Sequence, residues 1–344
     1  MSSVARSDLT SAGPIFIGGL DRTGTSLVYA LLASHPSIAM TRRTNWWSYF
    51  YDRFGDLAED RNLDRCLATM ARYRRHRRLN PDLTRIRSDF VRGARTYGRL
   101  FELLETQYAE RLGKPRWGDK SLHTERYASR VFADFPSARI VHMVRDPRDR
   151  YASVVRRWKR VRGGVGAGTA AWLASLELAE RNVAAYPGRY MILRYEDLAA
   201  RPAETLQTLC AFVGEPFDQR MLAMDAADDF RSTGGNSSYG QFAAGSISTR
   251  SIGKFRDVLR PAEVAFIQGR AGRVMRKYGY HAIESTLSPR ERLRYLVRDR
   301  PLATAKLYGW RARERIRDLL GRSPSDETLS EVADPIKPGY VSNE

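Results

Sequence analysis

The chain has 344 residues, 42% of them hydrophobic, enough for the core of one large α/β domain with an added helical part. Its 58 Lys and Arg against 39 Asp and Glu leave a formal charge of +19, which favours polyanions of any kind: nucleic acid, acidic lipid head groups, anionic glycans or a highly phosphorylated cofactor. Two cysteines, Cys66 and Cys210, are too few for a disulfide framework and lack metal-ligand spacing, and no apolar run approaches the ~18 residues of a membrane span.

The opening stretch MSSVARSDLTSAGP has no apolar core of a secretory signal, so a cytoplasmic protein with buried, reduced thiols is expected. Residues 15–17 then form a short apolar run, residues 18–26 are rich in Gly, Thr and Ser, and residues 27–32 are apolar helix formers. This predicts strand, tight loop and helix. Such a turn points backbone N–H groups and the positive end of a helix dipole at one spot, which suits a phosphate or sulfate. Gly19, Gly24, Thr25 and Ser26 follow the spacing G-x-x-x-x-G-K-[ST] of nucleoside triphosphatase loops, except that Thr25 replaces the lysine. Arg22 offers a cation three residues earlier, so the bound anion need not be a triphosphate tail.

Ser34, His35 and Pro36 stop the first helix, and residues 38–40 predict a second short strand. Between residues 46 and 112 Arg and aromatic residues dominate in a helical pattern, broken near Asn80-Pro81 and Gly93, which predicts a helical insertion over 46–115. The run RYRRHRR (72–78) reads either as a solvated helix face or as a site for an anionic ligand, and the aromatic cluster of residues 46–51 either as core or as cleft lining. Residues 114–120 read as a turn-rich approach to a helix over 121–132. Residues 138–144, ARIVHMV, have the composition of a buried parallel strand. Arg145, Asp146 and Pro147 follow at its C-terminal end, and Ser153 lies about two turns into the next helix. An Arg fork and a hydroxyl at that position suit a terminal phosphate; the other reading makes Asp146, Arg148, Asp149 and Arg150 surface ion pairs around a helix start.

Residues 163–168, GGVGAG, predict a flexible loop, 169–186 an amphipathic helix, 190–193 a core strand, 201–213 a helix, and 230–250 an irregular segment. A helix over 261–277 closes a main domain of residues 1–285. Alternating strands and helices predict an α/β fold with a parallel central sheet flanked by helices on both faces. Residues 286–322 predict a basic extension of two amphipathic helices broken at Pro301, with Leu302, Ala305, Ala312, Ile316 and Leu319 sharing a face that docks on the domain or on a second copy in preference to a membrane surface. A polar tail, 323–344, ends the chain.

Two motifs together resemble a known family, the sulfotransferases that use 3′-phosphoadenosine-5′-phosphosulfate (PAPS), especially their bacterial and carbohydrate-type branches. Residues 19–26, GLDRTGTS, look like the 5′-phosphosulfate loop, and residues 139–153, RIVHMVRDPRDRYAS, like the 3′-phosphate motif. Weaker echoes follow in order: LRYEDL (193–198), and NSS (236–238) with SIGKFR (251–256). The resemblance covers residues 14–280 and implies a fold like that of the P-loop nucleoside triphosphatases. It implies that Arg22, Thr23, Gly24, Thr25 and Ser26 hold the 5′-phosphosulfate, that Arg145 and Ser153 hold the 3′-phosphate, that Tyr195 approaches the adenine, and that Lys254 closes over the 3′-phosphate. Asp119-Lys120-Ser121 is similar to the family segment whose lysine approaches the reacting sulfuryl group, although Leu122 stands where a proline is usual.

Sulfuryl transfer resembles phosphoryl transfer in needing alignment and cations at the leaving oxygens, here Arg22, Lys120 and the loop amides. No carboxylate set for Mg²⁺ is evident, so no metal is expected. The general base is left between Asp119 and His123, because residues 41–45, TRRTN, carry no acid. The expected acceptor is a hydroxyl of a glycan, glycolipid or small metabolite. A homo-oligomer formed through the C-terminal helices and a peripheral membrane contact both stay open. The alternatives are a phosphotransferase with a degenerate loop and a basic nucleic-acid-binding protein, the second without a recognition motif to support it.

Overall fold

The computed structural model describes residues 13–158, 163–227, 230 and 246–319. Five strands form one parallel sheet: β1 (Ile15–Gly19), β2 (Ile38–Arg42), β3 (Arg116–Lys120), β4 (Arg139–Val144) and β5 (Tyr190–Arg194), in the order β2-β3-β1-β4-β5. The sheet is covered on both faces, as the alternation of β1 shows: Phe16 enters one core while Ile15 and Ile17 enter the other.

The Phe16 side is closed by the insertion, α2 (Asp60–Arg72), α3 (Arg74–Arg77), α4 (Leu83–Val91) and α5 (Tyr97–Arg111), with α6 (Ala128–Asp134) beside it. Trp46, Trp47 and Phe50 lie in that core, so the aromatic cluster is packing and not an exposed platform. The opposite side is closed by α1 (Thr25–Ala33), α9 (Tyr195–Ala200) and α10 (Pro202–Val213). A third core joins α7 (Pro147–Arg157), α8 (Gly164–Ala185), α11 (Phe255–Val258) and α12 (Pro261–Lys277). Cys66 and Cys210 are buried free thiols, as expected.

Five local expectations are corrected. Residues 116–120 are a strand and not a turn, because the segment runs between β2 and β1, where both edges of its backbone find partners. Gly118 makes that squeeze feasible: a Cβ there would lie 2.5 Å from the Ile15 carbonyl oxygen and 2.6 Å from Met40 Sδ. The helix expected over 121–132 is instead a 3₁₀ turn, Thr124–Arg126, followed by α6. The GGVGAG loop is helical from Gly164, since Gly166 packs directly against Ala303, where a Cβ would come within 2.0 Å of the carbonyl oxygen.

The break expected at Pro301 is absent. α13 (Pro289–Arg294) runs through a π turn, Tyr295–Asp299, into α14 (Arg300–Leu319). The Arg300 amide bonds back to the Tyr295 carbonyl, and the proline that follows has no N–H to place, so the wide turn absorbs it. This extension docks on the domain, but through Ala303 and Leu307 against Ala170 and Phe266; Leu302, Ile316 and Leu319, expected on the docking face, are exposed.

Strand registers bring Gly19 beside Met143, Ile17 and Arg42 beside Lys120, and Val144 beside Arg194, so the C-terminal strand ends share one edge. The chain leaves β1 toward β2 on one side and later returns to β4 on the other, making β1 the point where the strand order reverses, which is where open α/β sheets bind ligands.

Candidate active site

The turn after β1 has the tight, glycine-rich backbone geometry expected of it. Gly19 (φ +117), Arg22 (φ +66) and Gly24 (φ +98) take left-handed conformations, and the Thr23 hydroxyl donates to the Leu20 carbonyl at 2.7 Å. A Cβ on Gly24 would lie 2.5 Å from Tyr195 Cδ2, so only glycine lets the loop pass under that ring. No side chain caps α1, so the amides at its start, Thr25 and Ser26, belong to the first helical turn, whose N–H groups lack an intrahelical acceptor. Arg150 steadies the loop through its Nε to the Asp21 carbonyl at 3.1 Å and an ion pair with the Asp21 carboxylate. Burial opposes ionisation of Asp21, but Arg150 outweighs it and holds the carboxyl below its ordinary range.

The second βα turn meets this loop. Arg145 is buried; its Nη1 donates to the Arg22 carbonyl at 3.2 Å, its Nη2 to the Ser251 carbonyl at 2.6 Å, and its guanidinium lies 4.5 Å from the Tyr195 ring centre. Its Nε is a buried donor with no hydrogen-bond partner. The Arg22 side chain crosses to the fully buried Ser153, Nε to Oγ at 2.9 Å. Tyr195 OH and Ser251 Oγ are 2.5 Å apart, and Trp172 Nε1 donates to the Arg145 carbonyl at 2.9 Å.

Asp146, Arg148, Asp149 and Arg150, readable in sequence as surface ion pairs, are buried. Asp146 caps α7 and pairs with Arg148, while Asp149 accepts from the amides of Gly253 at 2.7 Å and Phe255 at 2.9 Å. The backbone around Lys254 is therefore clamped to the site, but its ammonium pairs with Asp257 at 3.0 Å on the surface. Residues 236–238 lie outside the described residues.

At the end of β3 the buried Lys120 has its carbonyl taken by the Arg43 amide at 2.7 Å. Burial, reinforced by Arg43 and Arg42, lowers its ammonium to about 7. Asp119 is buried on the opposite side of the strand backbone, its oxygens accepting from Thr41 Oγ1 at 3.1 Å and Ser121 Oγ at 2.7 Å. Thr41 Oγ1 is also 3.0 Å from Glu105 Oε1. One hydroxyl hydrogen cannot serve two carboxylates, so both contacts are hydrogen bonds only when one acid carries a proton. That acid is Glu105: it is fully buried, its Oε2 has no partner, and burial together with the Asp119 charge pushes its carboxyl well above the ordinary range.

His123 caps the 3₁₀ turn at φ +62, and its amide donates to the Gly19 carbonyl at 3.2 Å, which sets it beside the glycine-rich loop. Its side chain is 40% exposed, and its Nδ1 is 3.8 Å from Glu125 Oε1. Glu125 is buried and accepts from Ser175 Oγ at 2.6 Å. Burial opposes its ionisation, but the contacts with His123, His142 and Ser175 hold its carboxyl down at about 2. Burial lowers the His142 imidazole even with Glu125 Oε2 3.8 Å away, and its Nδ1 lies 3.2 Å from Tyr190 OH.

The structure thus gathers Arg22, Thr23, Gly24, Arg145, Ser153 and Tyr195 into one cluster, with Thr25 and Ser26 at the start of α1 and Lys120, Asp119 and His123 on the adjoining strand end. Sequence reasoning missed Glu105, Glu125, Trp172 and the hydroxyl of Ser251. Glu105 lies 64 residues from Thr41, and nothing in its helical context marks it as facing the site. Among the described residues no group of three or more His, Cys, Asp or Glu side chains could hold a metal ion, and no helix is long and apolar enough to cross a membrane.

A model of the sulfotransferase family matches residues 14–219. The sulfotransferase domain of the Synechococcus PCC 7002 olefin synthase is 20% identical over 78% of this chain and 94% of that one, with a TM-score of 0.52, a likeness of fold. Mouse sulfotransferase SULT7A1 complexed with PAP is 14% identical over 81% of this chain and 96% of that one, with a TM-score of 0.42. No curated protein matches the chain.

Proposed function

Because the chain belongs to the sulfotransferase family, we propose that the cluster around Arg22 and Arg145 binds PAPS and that the enzyme passes its sulfuryl group to a hydroxyl of a glycan, glycolipid or small metabolite. Family membership displaces the phosphotransferase and nucleic-acid alternatives. The observation that carries the site assignment is the orphaned Arg145 Nε, a buried donor within a cluster that already joins the loop to Ser153. A buried N–H without a partner costs stability, and a phosphate oxygen satisfies it with a charge-assisted bond. PAPS supplies the sulfuryl group and an anionic leaving phosphate.

In this reading Arg145 and Ser153 hold the 3′-phosphate, with Tyr195 and Lys254 at the edges of the nucleotide. The residues 23–26 loop and Arg22 hold the 5′ side, where charge develops as the sulfur–oxygen bond breaks. Lys120, between β2 and the loop strand, presents a cation to the transferring group. Of the two base candidates the geometry favours His123: it is partly exposed beside the loop and backed by the ionised Glu125, whereas both oxygens of Asp119 are engaged inside the protein. His123 takes the acceptor proton as the hydroxyl oxygen attacks, and Asp119 positions Thr41 and Ser121. The insertion over 46–115, which carries α2 to α5, forms the acceptor side. Equilibrium binding of PAP to Arg22→Ala and Arg145→Ala tests the assignment: affinity should fall at least tenfold in both, and unchanged affinity in both rejects it.

A further inference from the structure

The C-terminal extension is amphipathic twice over. Its inner face, with Ala303 and Leu307 buried, docks on α8 and α12. Its outer face follows steps of three or four positions, 293, 297, 301, 305, 308, 312, 316 and 319, and among the described residues its large apolar members stay uncovered: Leu293 is 63% exposed, Val297 67%, Tyr308 55%, Ile316 57% and Leu319 85%. Small residues occupy the positions between them, and at 1.5 Å per residue the line runs for roughly 40 Å. A docked helix needs one apolar side, so the second calls for a partner.

Charge decides which partner. Residues 289–319 hold ten Arg and Lys against four acids, a net of +6, within a chain of +19. The inner-side acid Glu314 is consumed by Arg126 and Arg317. A second copy of the chain would bring +6 against +6 along the whole line, whereas anionic head groups neutralise the flanking arginines as the apolar residues sink between them. We propose that the outer face of the extension is a docking surface for anionic phospholipid bilayers, with Leu293, Val297, Tyr308, Ile316 and Leu319 entering the interface and Arg298 and Arg315 meeting the head groups. Glu314 also ties this helix to Arg126, one residue from Glu125, so docking fixes how the candidate active site stands to the surface.

The test is co-sedimentation of the full chain with phosphatidylcholine vesicles with and without phosphatidylserine, at low and high salt. The wild-type chain should partition to the serine-containing vesicles and be released by salt. Val297→Glu with Ile316→Glu should abolish binding, and Arg298→Ala with Arg315→Ala should weaken it about thirtyfold. Both pairs lie on the exposed side, so their PAP affinity and circular dichroism should match the wild type. Equal partition to both vesicle types, or variants that bind as the wild type does, overturns the proposal. So does a concentration-dependent dimer that Val297→Glu with Ile316→Glu dissolves in a chain that ignores vesicles, since it names a second copy as the partner.

Discussion

Arg22 Nε donates to Ser153 Oγ at 2.9 Å, across 131 residues of chain. The contact makes one cluster of the two βα turns, because a side chain from the glycine-rich loop ends on a hydroxyl from the second βα unit. Ser153 is fully buried, so its hydroxyl is held there by packing, and in the proposed reading it serves both the guanidinium and the 3′-phosphate. Ser153→Ala should therefore weaken PAP binding about tenfold while thermal stability changes little, measured by calorimetric titration alongside a melting curve.

Arg145 engages two carbonyls, the Tyr195 face and an orphaned Nε from one planar group. A lysine keeps the charge but cannot reproduce that fork. Arg145→Lys should bind PAP at least tenfold more weakly than the wild type; equal binding would mean that charge alone matters at this position.

Lys120 has an ammonium brought down to about 7 by burial and then by Arg43 and Arg42. If its cation serves the reaction, kcat/KM should fall as pH rises through about 7, and Lys120→Arg should move that limb upward. The linkage runs the other way for stability. Between about 7 and the ordinary lysine value near 10.5 the unfolded chain holds the proton that the folded one has lost, so unfolding free energy rises with pH over that window. Lys120→Met should remove this rise and add about 1 kcal/mol or more at neutral pH while abolishing turnover, as denaturant titrations over a pH series would report.

Glu105 is a buried acid that keeps its proton. Its folded-state pKa is raised, so stability is lost as pH climbs above the ordinary glutamate value, where the unfolded chain ionises and the folded one does not. Glu105→Gln retains a donor to Thr41 and should stabilise the protein at neutral pH by about 1 kcal/mol while leaving kcat near the wild-type value. Glu105→Leu removes the contact to Thr41 and should lower kcat through a loosened Asp119 and Ser121; a Leu variant as active as Gln would show that this hydrogen-bond chain has no part in positioning.

Glu125 stands behind His123 as an ionised, buried carboxylate. His123→Ala should reduce kcat about a hundredfold with PAP affinity unchanged. Glu125→Gln should reduce kcat by a smaller factor, again without loss of PAP binding, as steady-state kinetics and equilibrium titration would separate. A full-strength His123→Ala enzyme would return the base assignment to Asp119.

The sequence by itself determined both strand–turn–helix units of the proposed site, because each is a local device: a strand, a few glycines or an Arg-Asp-Pro step, and a helix start within about a dozen residues. It also determined the α/β class and the family, since alternating apolar strands and helices and the spacing of Arg22, Arg145 and Ser153 are properties of the chain alone. It misread residues 116–120, whose Arg, Trp, Gly, Asp and Lys become a strand only because β2 and β1 bond to both sides of it. Only the tertiary structure decided that Glu105 reaches Thr41, that Ser251 receives both Arg145 and Tyr195, and that Glu125 lies between His123 and His142. It also turned Leu302, Ile316 and Leu319 outward, because Gly166 lets Ala303 approach α8 closely and so selects the opposite side of the extension for docking. Spacing encodes which groups one turn can aim; which groups meet across a sheet depends on the path of the chain between them, and no short-range pattern carries that.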